Sequence, residues 1–133
     1  FREVIEEDLI DYARIDLCIV GGLTEALKIT HSAETHYIDI VPHNPLGPVS
    51  AAACAALCMA STNVGVLEMP RRPGPYANEL FPLQIEWADG YSWCPDTPGL
   101  GVEFDIDAAE SAHVEPHGWP PRLRRNDGSI TNW

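Results

Sequence analysis

Three short apolar runs in this 133-residue chain each end in an ionisable residue: Asp16 after residues 12–15, His43 after residues 37–42, and Glu68 after residues 64–67. The intervals between the three are 27 and 25 residues. That is the length of one strand, one helix and two short loops, so the pattern reads as successive βα units. Such units imply parallel strands, because a parallel pair needs a crossover of roughly a dozen residues or more. Three strands in an open sheet would leave bare edges. A barrel of βα units removes those edges and gathers the C-terminal strand ends on one catalytic face. The expected fold class is therefore α/β, a portion of a (β/α) barrel with earlier units missing. A doubly wound sheet is the alternative, and it lacks the Gly-rich fingerprint that dinucleotide-binding versions carry.

Between the strands the chain reads as helix and turn. A helix is expected over residues 1–7, then a turn near Asp8. After Asp16 a loop should reach Gly21-Gly22, whose tolerance of positive φ suits a tight turn into a helix over 23–36. Leu23, Ala26, Leu27 and Ala33 follow helical spacing there. Pro48 is placed to open the next helix, over 49–61, which is almost entirely small side chains that allow close approach to a sheet. From Met69 onward Pro70, Pro73, Pro75 and Pro82 interrupt regular structure. Residues 1–70 are thus assigned to the barrel portion, and 71–133 to a C-terminal extension that returns over it. In that extension, extended pieces are expected at 83–87 and 97–102, with a turn at Asp89-Gly90.

Twenty acidic residues against eight basic ones give a net charge of −12. Nucleic-acid binding depends on Lys and Arg neutralising phosphates, so such a partner is excluded. The basic groups Arg71-Arg72 and Arg122, Arg124, Arg125 lie in Pro-rich surroundings and read as surface groups. The longest weakly polar run, residues 49–60, is too short to span a membrane, which takes about 20 apolar residues. No signal peptide is visible, and a cytoplasmic location is expected. Cys18, Cys54, Cys58 and Cys94 do not form a zinc pattern. Cys54 and Cys58, four apart in the Ala-rich helix, read as small hydrophobes.

The three strand ends carry the chemistry. Neighbouring strands lie about 4.8 Å apart, so Asp16 and His43 should come within hydrogen-bonding reach. A carboxylate on one imidazole nitrogen fixes the tautomer and leaves the other nitrogen basic, which makes His43 a candidate general base. Glu68 would donate to a developing oxyanion if protonated, or orient substrate if ionised. Each residue also has a plainer reading: an Asp in a βα loop is ordinarily a helix cap. His31 and His36 read as surface groups, and His113 and His117 straddle Pro116, which spoils helical pairing for a metal.

Asp16, Gly21-Gly22-Leu23-Thr24-Glu25, Pro42-His43-Asn44-Pro45-Leu46-Gly47-Pro48, Glu68-Met69-Pro70 and Pro98-Gly99-Leu100-Gly101-Val102-Glu103 occur in this order. Together they resemble the C-terminal part of the enolase superfamily, mandelate racemase subgroup. The loop after His43 and the ending from Arg125 to Trp133 are most similar to acid-sugar dehydratases of the D-galactonate dehydratase type. The resemblance implies the last three βα units of a TIM-like barrel, with an extension packing toward a missing capping domain. It implies that His43 and Asp16 form a His-Asp dyad, that Glu68 is the carboxyl group after the final strand, and that Asn44 contacts substrate. It further implies Mg²⁺ held by carboxylates outside this chain, a small sugar acid as the bound partner, and a homo-oligomeric parent. The expected reaction is removal of the α-proton by His43 and loss of the β-hydroxyl, giving a 2-keto-3-deoxy acid. A racemase or epimerase of the same superfamily is the alternative, as is a truncated, inactive piece. The chain departs from the family at Arg14-Ile15, where Gln-Pro is frequent, and at Leu67, where Gln is frequent.

Overall fold

The computed structural model describes residues 1–69, 77–112 and 123–131. Helix α1 (Arg2–Glu6) buries Ile5, and Asp8 turns the chain at a φ of 51°. Strand β1 (Tyr12–Ala13) follows. Asp16 then caps a one-turn helix, α2 (Leu17–Val20), where a loop was expected. Gly21, at a φ of 111°, closes α2 in the left-handed conformation that a Cβ disfavours. Helix α3 (Leu23–Glu34) buries Ala26, Thr30 and Ala33, and the Thr30 hydroxyl donates to the Ala26 carbonyl. Strand β2 (Asp39–Ile40) and helix α4 (Pro48–Met59) complete the alternation. Pro48 is the first residue of α4, where its missing N–H costs nothing.

β1 and β2 pair in parallel, with Tyr12 opposite Asp39 and Ala13 opposite Ile40. Their ladder runs past the short strand spans: the Val41 N–H donates to Ala13 at 3.0 Å and the His43 N–H to Ile15 at 2.8 Å. The third expected strand, residues 64–67, is reduced to a parallel bridge between Ile40 and Val64. The Ile40 N–H donates to Asn63, and the Gly65 N–H donates back to Ile40. β2 is thus the central strand of three. Asn63 secures its start, donating from the side chain to the carbonyls of Thr30 and Ile38 and so tying α3 to β2.

Ile5, Ala13, Ile15, Leu17, Ala26, Ala33, Ile38, Ile40, Cys54 and Leu57 form one buried cluster beneath the strands. α4 has a second buried face, where Ala51, Ala52 and Ala55 pack with Ile85, joined by Leu67, Met69, Leu100 and Val102. α4 is thus covered on two faces, while Val49 and Met59 at its ends stay exposed. The small residues of α4 therefore serve the segment at 85–102 as well as the sheet. In that segment β3 (Glu86–Ala88) and β4 (Tyr91–Trp93) form an antiparallel hairpin. Its two-residue turn is Asp89-Gly90, with φ values of 53° and 82° as a type I′ turn requires. A bridge between Leu83 and Glu103, helix α5 (Ile106–Ser111) capped by Asp105, and a hairpin of β5 (Leu123–Arg124) with β6 (Ile130–Thr131) follow. Arg71, Arg72, Arg122, His113 and His117 lie outside the described residues.

Among the described residues no helix is long and apolar enough to cross a membrane. Cys54 is fully buried, and burial pushes its thiol up to about 12 and that of Cys58 up to about 11. Thiols so held are poor nucleophiles, in keeping with a packing role.

Candidate active site

Burial alternates along the first strand and its continuation: Ala13 and Ile15 face the core, while Tyr12, Arg14 and Asp16 face the other way. Ile38 and Ile40 likewise point inward, leaving Asp39, Val41 and His43 on the outer side. The register of β1 against β2 is offset by 27 residues, since Tyr12 pairs with Asp39. Asp16 and His43 are also 27 apart, so they stand directly opposite each other one step beyond the ladder. His43 Nδ1 and Asp16 Oδ2 are 2.8 Å apart, with side chains 28% and 14% exposed.

Asp16 satisfies both of its readings at once. Its Oδ1 accepts from the Cys18 N–H at 2.9 Å and caps α2, while its Oδ2 meets His43. The cap fixes the carboxylate in place, and the carboxylate fixes the imidazole. With Nδ1 carrying the proton toward Asp16, the other ring nitrogen is left as a hydrogen-bond acceptor.

Glu68 lies elsewhere than the near-equal spacing implies. Ile40 is bridged to Val64, an offset of 24 residues. On that register Leu67 faces His43, and Glu68 faces Asn44. The contacts follow the register: the Asn44 N–H donates to Glu68 Oε2 at 2.9 Å, and Asn44 Nδ2 donates to the Glu68 carbonyl at 3.1 Å. Asn44, expected to touch substrate, is fully buried and braces Glu68 from beneath.

The Glu68 carboxylate also accepts from Arg14 Nη2, at 2.9 Å to each oxygen. The Asn44 main-chain N–H above all, and the Arg14 guanidinium with it, hold the Glu68 carboxyl below the usual carboxylate range, against the opposing effect of burial. Of the two states open to Glu68, the surroundings favour the ionised one. Arg14 was noted in the sequence only as a departure from the family pattern. Its signal was the two-residue step to Asp16, which puts both side chains on one face.

His36, read as a surface group, sits 3.0 Å from Asp8 and joins the end of α3 to the turn after α1. Among the described residues no group of three or more His, Cys, Asp or Glu is placed to hold a metal ion. The described residues therefore do not by themselves make a Mg²⁺ site.

The sequence matches the family model described as Enolase C-terminal domain-like over residues 1–109. It is 36% identical to the D-mannonate dehydratase of Caulobacter vibrioides, across 99% of this chain and 33% of that protein. It is 34% identical to the D-galactonate dehydratase of Xanthomonas oryzae pv. oryzae, across 100% of this chain and 37% of that one. The crystal structure of an enolase from Pantoea ananatis with bound D-gluconate and Mg superposes with a TM-score of 0.78 at 31% identity. That superposition covers 86% of this chain and 28% of the other. The chain spans about a third of the length of the curated relatives it matches. Its relatives are named as sugar-acid dehydratases, and its two strand–helix units with the strand remnant at Val64 are a fragment of the TIM-like barrel of the enolase superfamily. The chain belongs to the Enolase C-terminal domain-like family.

Proposed function

We propose that the protein carrying this chain dehydrates a sugar acid, an aldonate, to a 2-keto-3-deoxy acid. The observation that carries the reading is the 2.8 Å contact of His43 Nδ1 with Asp16 at paired strand ends. His43 takes the proton α to the substrate carboxylate on its other ring nitrogen, and Asp16 stabilises the imidazolium that forms. Electrons from the broken C–H bond form the C=C bond as the β-hydroxyl departs with a proton from an acid outside this chain. The resulting enol tautomerises to the 2-keto-3-deoxy acid. Glu68, ionised, accepts a hydrogen bond from substrate and orients it.

The relatives' names support the substrate class, and so does the D-gluconate in the Pantoea ananatis structure. Mg²⁺ in this protein would be held by residues other than the described ones.

The test is deuterium exchange and turnover with D-mannonate and D-galactonate in D₂O, using the full-length protein. Wild type should release water and form keto acid, and H43A should lose both exchange and product. Exchange with inversion at the α-carbon and no loss of water would instead identify an epimerase. Unchanged turnover by H43A would end the assignment of His43.

A further inference from the structure

Arg14 and Asp16 leave the same strand on the same face, and each reaches a different later strand end. Asp16 meets His43 directly across the register. Glu68 is one residue out of step with His43, and it is Arg14 that joins its carboxylate to the strand bearing Asp16. The support of Glu68 is divided. Asn44 fixes where the residue sits, through the Glu68 carbonyl and Oε2. Oε1 is held by Arg14, whose Nη2 bridges both oxygens and so sets the plane of the carboxylate. The pair is too open to matter much for folding: Arg14 is 54% exposed and Glu68 33%, and such ion pairs contribute little stability. An arginine spent there has another use.

We propose that Arg14 is a positioning residue of the acid/base face, holding the Glu68 carboxylate in one orientation and keeping it an acceptor beside His43. This rests on the reading of Glu68 as a substrate-orienting carboxylate in the dehydration. The groups that act on Glu68 are Arg14 from the first strand, and His43 and the Asn44 N–H from the loop after β2. Removing Arg14 leaves one main-chain donor on a single oxygen. The carboxylate then turns more freely and takes a proton more readily, and a protonated Glu68 offers a donor where the substrate meets an acceptor.

The experiment uses the full-length protein with R14Q, R14K, E68Q and the R14Q/E68Q pair. Turnover of D-mannonate and D-galactonate is followed against pH, and the Glu68 side-chain carboxyl is titrated by ¹³C NMR, assigned with E68Q. R14Q should lower kcat roughly 10- to 100-fold with KM little changed, the scale set by small misplacements of reacting groups. Its acid limb and its Glu68 midpoint should both move to higher pH. R14K keeps the charge and should recover most of the midpoint shift. In the E68Q background R14Q should cost nothing further, because a residue acting through another is silent once that partner is gone. An unchanged Glu68 midpoint in R14Q, or an equal R14Q loss with E68Q already present, overturns the proposal. The midpoint is read without substrate, so it decides the role of Arg14 even where neither sugar acid is turned over and the dehydration reading fails.

Discussion

The Asp16–His43 link and the Arg14–Glu68 link both tie the first strand to a later strand end, yet they are built differently. The first is largely enclosed, and the main chain fixes both partners: Asp16 by capping α2, His43 by its N–H on Ile15. The second is half open to solvent and rests on side chains and a single main-chain donor. The difference traces to one residue of register. An offset equal to the spacing places Asp16 opposite His43, whereas 25 residues against an offset of 24 moves Glu68 past His43 to Asn44. Where register suffices the backbone positions the group, and where it misses by one a long side chain has to reach.

The largest test of this contrast is at Asp16. D16A removes cap and imidazole partner together: activity should fall roughly 10⁴-fold, the scale for losing the partner that orients a catalytic imidazole. Melting should show a loss of about 1 kcal/mol from the cap. D16N keeps an acceptor for the Cys18 N–H, so it should lose comparable activity with stability almost intact. If D16N melted as low as D16A, the enclosed link would owe its stability to charge rather than to the cap.

Asn44 serves the open link alone, and N44A strips the Glu68 carbonyl of its side-chain donor. The lost bond is part-buried and the Asn44 Oδ1 removed with it has no partner among the described residues, so stability in denaturant melts should fall by the worth of one hydrogen bond, about 1 kcal/mol. The fall should include a weaker hold on Glu68, seen as a partial loss of turnover. Smaller still is the acid dependence. Glu68 has a folded pKa below its ordinary 4.5. It therefore adds stability that is fully present above that value and is lost as pH falls through the folded pKa. Denaturant melts below pH 4.5 should show a shallower decline for E68Q than for wild type. Identical slopes would mean that the open link contributes nothing to folding even when charged.

Much of this arrangement is visible in the amino-acid order, and what is hidden is hidden for physical reasons. Polar residues ending apolar runs, the Gly21-Gly22 turn and the helical spacing of Ala26 and Ala33 all act within a few residues. Helix α2 is too short for periodicity to register, although its two ends, Asp16 and Gly21, are ordinary start and stop residues. The strands came out shorter than the apolar runs that announced them. The third run is held by Ile40 at a single bridge, and Val66 within it is exposed. α4 was read as small-sided for the sake of the sheet alone. Its second face packs largely against Ile85, Leu100 and Val102, which lie far along the chain. The partner of Arg14 is 54 residues away, and no local pattern announces a contact at that range.

The cap at Asp16 has a bearing on how such enzymes diversify. Because α2 aims the carboxylate and the ladder to Ile15 aims the imidazole, the hydrogen bonds that orient the pair all lie within residues 12–43. A segment of that kind can be inherited as a cassette. Recombination or redesign that exchanges the remaining strands would alter what surrounds the pair while the Asp16–His43 contact travels unchanged.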